Sequence, residues 1–250
     1  MNEVVVEIGE GRATLALNRP EKLNALNLAL VSALEEAAQR VGADPDVGVV
    51  VVRGRGRSFC AGLDLDVFAA EGMSLEFYRR QEGGFRSLET MDKVVIAAIH
   101  GHCLGGAVQL AAACDVRVAS SDAVIGLPAI DEGLFPGMAP YRLPRLVGKG
   151  RAASLILSGR RIGAEEALAI GLVDHVIEAD RFDEQLATTI DEYARAPRAA
   201  AAASKRLIAR SYDAPFEDAL AESERLLEDC LRSPEVARAR QAWTASARRR

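Results

Sequence analysis

The residues best placed to do chemistry lie in the run HGHCLGGAVQLAAACD, positions 100–115. The apolar run VVIAAIH leads into His102-Cys103-Leu104. Gly105 and Gly106 follow, and then a small-residue helix from Ala107 to Ala113. This reads as a strand, a sharp glycine turn and a helix N-terminus. Glycine lets a backbone approach a ligand closely and adopt conformations that other residues resist. A helix N-terminus presents unpaired N–H groups and a partial positive charge. Together they suit a developing negative oxygen. The plain structural alternative is a small-residue helix packed closely in a core. Histidine is a residue type able to act as an acid or base at neutral pH, though one as close to a turn as His102 more often bonds backbone. Cys103 is a thiol with no evident paired base.

The elements that must hold this run are readable on either side of it. Val4–Ile8 and Thr14–Leu17 are β-rich runs split by Gly9-Glu10-Gly11, the pattern of a hairpin. Asn27 can cap a helix running to about Arg40, with Leu30, Leu34, Ala37 and Val41 on one face and Gly42 as its terminator. Val47–Val52 is a continuous apolar strand of the kind buried on both faces. The loop RGRGRSFCAGLD follows, with Arg53, Arg55 and Arg57 as a set able to meet phosphates. Residues 66–92 form a less regular helical region whose Met73, Phe77, Tyr78, Phe85 and Leu88 read as core. Strand Val116–Ala119, the loop LPAIDEGLFPGM, helices around 140–157, a short helix Ala164–Ile170 and strand Leu172–Val176 come next. From Phe182 onward the chain reads as helical, with Phe216, Leu220, Ser223, Leu227 and Leu231 on one face. It ends in Arg248-Arg249-Arg250, a run expected to fray. Alternating strands and helices followed by helices alone imply an α/β core with a C-terminal helical extension.

Bulk properties narrow the function. The composition is that of a globular chain, with 49 % hydrophobic and 27 % charged residues. Aromatics are only 5 % and the net charge is -5, which argues against base-stacking modules and against a basic surface for nucleic acid or acidic membrane. Cys60, Cys103, Cys114 and Cys230 include no CxxC pair and no zinc spacing, so no metal is expected. They read as reduced thiols of an intracellular protein. No run approaches the roughly 20 apolar residues of a membrane helix, and MNEVVVEIGEG lacks a signal pattern, so a cytoplasmic location without membrane contact is expected.

With SFCAGLDL (58–65) set beside the central run, the chain resembles the crotonase family, the enoyl-CoA hydratases and isomerases. The matching pieces are NRPEKLNAL (18–26), SFCAGLD (58–64), VVIAAIHGHCLGGAVQLAAACDVRVAS (94–120), IGLPAIDEGLFPG (125–137), RLPRLVGKGRA (142–152) and LSGRRIGAEEALAIGLVDHV (157–176). They stand in the family's order and cover nearly the whole chain. The resemblance implies a ββα spiral core over 1–195 and a C-terminal helical trimerisation region over 196–250, in a homotrimer or hexamer. It implies an acyl-CoA thioester as substrate, with coenzyme A part of that substrate and no permanently bound cofactor. It puts the backbone N–H groups of Leu63 and Gly106 on the thioester carbonyl. Coenzyme A then lies near Lys22, Ala25, Cys60, Ala61, Leu63, Gly105 and Gly106, and the region around 66–92 lines the acyl end.

The resemblance also marks a departure. Hydratases of the family carry a glutamate three residues after the second oxyanion glycine, where this chain has Gln109. A second glutamate follows a proline in the next loop, where this chain has Ala129. A glutamine cannot take a proton at neutral pH, and a positioned acid or base is worth about 10²–10⁴-fold. Paired-carboxylate hydration is therefore expected to be slow. In an extended loop Asp131 would point to the same side as Ala129, which makes it the replacement acid/base, with a turn cap as its structural alternative; Glu132 would face solvent. His102 is the other replacement candidate. Asp64 is expected to bond nearby backbone. The functional readings are a thioester enzyme with non-standard acid/base residues, or an acyl-CoA-binding protein without hydratase activity. No serine pairs convincingly with a histidine, which argues against a peptidase.

Overall fold

The computed structural model describes residues 2–247; Arg248–Arg250 lie outside the described residues. Strands β1 (Val4–Gly9) and β2 (Arg12–Leu17) form the expected antiparallel hairpin, turned by Glu10 and Gly11 at positive φ. Strands β3 (Val49–Gly54), β4 (Val94–Ile99), β6 (Val116–Ser120) and β9 (His175–Ile177) extend it in parallel, in the order β1-β2-β3-β4-β6-β9. The remaining strands, β5 (His102–Leu104), β7 (Val124–Gly126) and β8 (Arg161–Gly163), make a second, three-stranded sheet.

Alternation along the central strands divides the core. Val50, Val52, Val95, Ala97 and Ile99 face the larger cluster, with Leu30, Leu34, Phe85 and Leu88 from helices α1 (Leu28–Ala43) and α3 (Leu75–Thr90). Val49, Val51, Ile96 and Ala98 face a smaller cluster closed by Phe182 and Leu186 of helix α8 (Phe182–Ala194). Both faces are buried, which is why these strands read as unbroken apolar runs.

Asn27 caps α1 by accepting from the Leu30 N–H at 2.9 Å. The helix does not stop at Gly42. It runs through to Ala43, with the Met91 side chain packed 3.6 Å from where a Gly42 Cβ would stand. The irregular helical region over 66–92 is in fact two regular helices, α2 (Leu65–Glu71) and α3, separated by Gly72 and capped by Asp64 and Ser74. Leu172 and Val173, expected in the last strand, are core residues that precede it.

Helix α4 is Gly106–Ala112, and α5 (Ala139–Val147), α6 (Lys149–Ser158) and α7 (Ala164–Ala169) lead to the last strand. After α8 come α9 (Arg198–Arg210), α10 (Phe216–Arg232) and α11 (Pro234–Ala247). Helices α9 and α10 pack together yet bury no residue fully, and Phe216, Leu220, Leu227 and Leu231 stand exposed along α10. Among the described residues no helix is long and apolar enough to cross a membrane.

Candidate active site

The site begins with a buried asparagine. Asn24, fully buried at φ +57°, donates from its amide to the carbonyls of Arg55, Ser58 and Phe59 at 2.9, 2.8 and 3.2 Å, and its Oδ1 accepts from the Arg19 N–H at 2.9 Å. This ties down the loop that leaves β3. The segment that follows is laid against β5: the Cys60 N–H donates to the His102 carbonyl at 2.9 Å, and the Leu104 N–H donates to the Cys60 carbonyl at 3.1 Å. On its other edge the Leu26 N–H donates to the Gly62 carbonyl at 2.6 Å, and the Asp64 N–H donates to the Leu26 carbonyl at 2.9 Å. That is a parallel bridge between Leu26 and Leu63. In such a bridge the Leu63 N–H points away from its partner strand, toward β5 and α4.

Two glycines meet at that point. Gly62 has φ +93°, and a Cβ there would lie 2.7 Å from the Leu104 carbonyl oxygen. Gly105 has φ +54°, with the Gly62 Cα 3.9 Å from its own Cβ position. A Cβ on Gly62 has no room against Leu104 while one on Gly105 would make ordinary contact, and positive φ suits glycine at both places. Each glycine is followed by one of the anticipated donors, Leu63 and Gly106. Among the described residues neither N–H has a backbone acceptor. Gly106 is also tightly approached, since a Cβ on it would stand 2.7 Å from Leu26 Cδ1.

These donors open into a cavity of about 430 Å³, walled by Leu65, Met73, Leu75, Phe77, Tyr78, Leu134, Phe135 and Pro136 as well as by the two glycine turns. Gln109 and Ala129 both line it. Gln109 is 4 % exposed, and its Oε1 accepts from the Met138 N–H at 3.0 Å. A backbone N–H can only donate, so the amide orientation is fixed and the NH₂ is the group left for the cavity. Ala129 supplies only a methyl.

The expectation for Asp131 is corrected by the local backbone. Pro128–Ile130 is a turn of 3-10 helix, continued by Glu132 N–H donating to the Ala129 carbonyl at 3.2 Å. Residues three apart, not two, share a side in that geometry. Glu132 therefore lines the cavity beside Ala129. The Asp131 carboxylate is absent from the lining and lies 2.8 Å from where a Gly159 Cβ would stand.

A family model described as enoyl-CoA hydratase/isomerase matches residues 7–247. The chain belongs to this family. It is 33 % identical over 228 residues to the probable enoyl-CoA hydratase echA8 of Mycobacterium tuberculosis, covering 89 % of this chain and 87 % of that protein. It is 34 % identical over 237 residues to the short-chain-enoyl-CoA hydratase of Clostridium acetobutylicum, covering 92 % and 90 %. The crystal structure of an enoyl-CoA hydratase from Mycobacterium smegmatis superposes with a TM-score of 0.92 at 30 % identity, covering 98 % of this chain and 96 % of that one. The α/β crotonase fold with its C-terminal helical region is thereby established, and the named relatives are enzymes.

Within this hydratase/isomerase scaffold the other polar candidates are occupied. His102 Nδ1 lies 3.2 Å from Ser58 Oγ, and His102 does not line the cavity. Burial pushes the Cys60 thiol up to about 12 and the Cys103 thiol well above its ordinary value, so neither is a ready nucleophile. Asp64 pairs with Arg19 at 2.8 Å and caps α2, which is structural work. Arg53 and Arg55 are paired with Asp183 and Glu7 at 2.9 and 3.0 Å, which loosens the anticipated cationic set. The exposed Lys22 ammonium holds Asp66 at 2.7 Å, and the Asp66 carboxylate raises the Lys22 pKa.

Sequence reasoning missed three residues. Asn24 carried no signal beyond its place in NRPEKLNAL. Glu132 is exposed, as expected, but it also lines the cavity, which an extended loop did not foresee. Gln81 stands on the buried face of α3, in the series Phe77, Gln81, Phe85, Leu88; a lone polar residue at helical spacing among apolar ones was the available signal.

Proposed function

We propose that this chain processes acyl-CoA thioesters by holding the thioester carbonyl oxygen on the N–H groups of Leu63 and Gly106. What supports the reading most is that two N–H groups without a backbone acceptor among the described residues, each following one of two facing glycines, open into one largely apolar cavity. Charge developing on the oxygen as an enolate forms is stabilised there by fixed dipoles that need no reorganisation. The coenzyme A portion runs past Lys22, Ala25, Cys60, Ala61 and Gly105, with the acyl group against α3 and the loop at 134–137. Buried free thiols fit a reducing, cytoplasmic setting. The exposed apolar side chains of α9 and α10, in the region 196–250, are covered in a homotrimer or a hexamer built from it.

Gln109 and Ala129 stand where the family's hydratases carry their glutamates, so proton transfer passes to a different group. Glu132 is the carboxylate that lines the cavity. Its side chain moves a proton to or from the acyl carbon beside the thioester, without a second carboxylate to hold a water for addition. Incubation with a panel of enoyl-, 3-oxoacyl- and malonyl-type CoA esters, read by mass spectrometry and by chromatographic shift, tests this. The expected outcome is a product on at least one ester, with Glu132→Gln slowing it by about 10²–10⁴-fold and Asp131→Asn leaving it within about twofold. Esters that bind saturably and emerge unchanged would establish the acyl-CoA-binding reading instead; Gln109, locked to Met138, already favours binding over proton transfer.

A further inference from the structure

One buried side chain in the cavity has no role in the mechanism above. Gln81 of α3 is 6 % exposed and lines the cavity, and its amide, paired with no protein group among the described residues, opens onto that cavity. An amide on this otherwise apolar face has only the cavity in which to find its hydrogen bonds, from water or from a ligand, where a leucine or methionine would simply fill the face. Its Oε1 lies 3.4 Å from where a Gly106 Cβ would stand, so the amide sits beside the donor turn. Two more polar groups share this part of the wall. The Gln109 NH₂ is free of Met138, and Tyr78 packs its ring 3.2 Å from the same Gly137 position that lies 3.1 Å from Gln109 Oε1. Burial and the Glu82 carboxylate raise the Tyr78 phenol, which keeps it a hydrogen-bond donor. Neutral amides and a phenol do not titrate near pH 7; they recognise rather than transfer.

We propose that Gln81 is a specificity-determining residue, whose amide hydrogen-bonds an oxygen substituent on the acyl group close to the thioester. The cavity accordingly prefers an oxygenated acyl chain to the plain hydrocarbon of the same length. An amide offers both a donor and an acceptor, so a hydroxyl is matched on both counts. The inference rests on the reading that the thioester oxygen lies at Leu63 and Gly106, because that fixes which acyl atoms come near Gln81.

The test is isothermal titration of the full chain with 3-hydroxybutyryl-CoA and butyryl-CoA, neither of which carries a double bond. The wild type should bind the hydroxy ester about tenfold more tightly, the worth of one good hydrogen bond. Gln81→Met, nearly isosteric and apolar, should bring the ratio of affinities close to one. Gln81→Asn keeps the amide but withdraws it by a methylene, and it should lower the ratio as well; this variant serves if the methionine variant does not fold. Equal affinities in the wild type, or a ratio that both variants leave untouched, would overturn the role of Gln81 while leaving thioester binding intact. Failure of both esters to bind would overturn the thioester reading, and this inference with it.

Discussion

The two ends of the cavity are built by different means. The donor end is backbone: Gly62 against Gly105, with Leu63 and Gly106 following and Asn24 anchoring the loop behind them. The far wall is side chain: α3 on one side, and the turn that carries Ala129 and Glu132 with the loop after it on the other. A backbone donor is insensitive to the side chain it belongs to, so Leu63 needs no particular identity. A side-chain wall changes its chemistry with each substitution. The donor end can thus be kept while the proton-transfer groups change, and that is the combination proposed for this chain.

Putting the carboxylates back would sharpen the contrast most. Gln109→Glu with Ala129→Glu should create hydration of crotonyl-CoA, each group adding about 10²–10⁴-fold, with the sum short of additive. A carboxylate introduced at position 109 still accepts from the Met138 N–H, as the Gln109 amide oxygen does, so its placement is retained. A spectrophotometric assay of the double variant that stays at the wild-type level would break the claim that the two ends are separable.

The next effect is on the donor end itself. Gly62→Ala must push on the Leu104 carbonyl 2.7 Å away as well as bear a positive φ, and it should cost about 10²–10³ in turnover by moving the Leu63 N–H. Gly105→Ala meets nothing closer than 3.9 Å and bears only the backbone penalty. That amounts to about 1 kcal/mol, or 2–4 °C in melting temperature. Equal damage from the two, read by assay and calorimetry together, would mean that the facing of these glycines is not what sets the donors.

Legibility in the sequence follows the same division. A glycine has few reasons to stand where it does, and Gly62 and Gly105-Gly106 announced a close backbone approach by residue type alone. The amphipathic face of α10 was likewise plain from the spacing of Phe216, Leu220 and Leu227. The wall was not legible, because a one-residue change of phase decides it. A loop taken as extended pointed to Asp131; the 3-10 turn that Pro128 starts delivers Glu132 instead. Gln81 disappeared among the apolar residues that surround it. Gly42 read as a helix stop because glycine often is one, yet packing against Met91 carries α1 one residue past it.

The smallest effects concern the thiols beneath the donor end. Burial holds Cys60 and Cys114 up to about 12, so both stay protonated in the folded chain well above the ordinary thiol value of about 8.5. The unfolded chain releases those protons first. Their contribution to stability is therefore intact below about pH 8.5 and declines as pH rises from there toward 12. At pH 8 a thiol reagent should label the half-buried Cys230 in the native chain and leave Cys60, Cys103 and Cys114 unmodified. Rapid native labelling of Cys60, located by mass spectrometry, would show that the loop between Asn24 and β5 opens far more readily than its hydrogen bonds imply.

The most direct measurement of the donor end is infrared difference spectroscopy of an acyl-CoA whose thioester carbonyl carries carbon-13, free and bound to the full chain. Two N–H donors on one oxygen weaken the C=O bond, so the bound band should shift to lower frequency, and by less in Gly62→Ala. A ligand that saturates the chain while its carbonyl band stays at the position seen in water would contradict it.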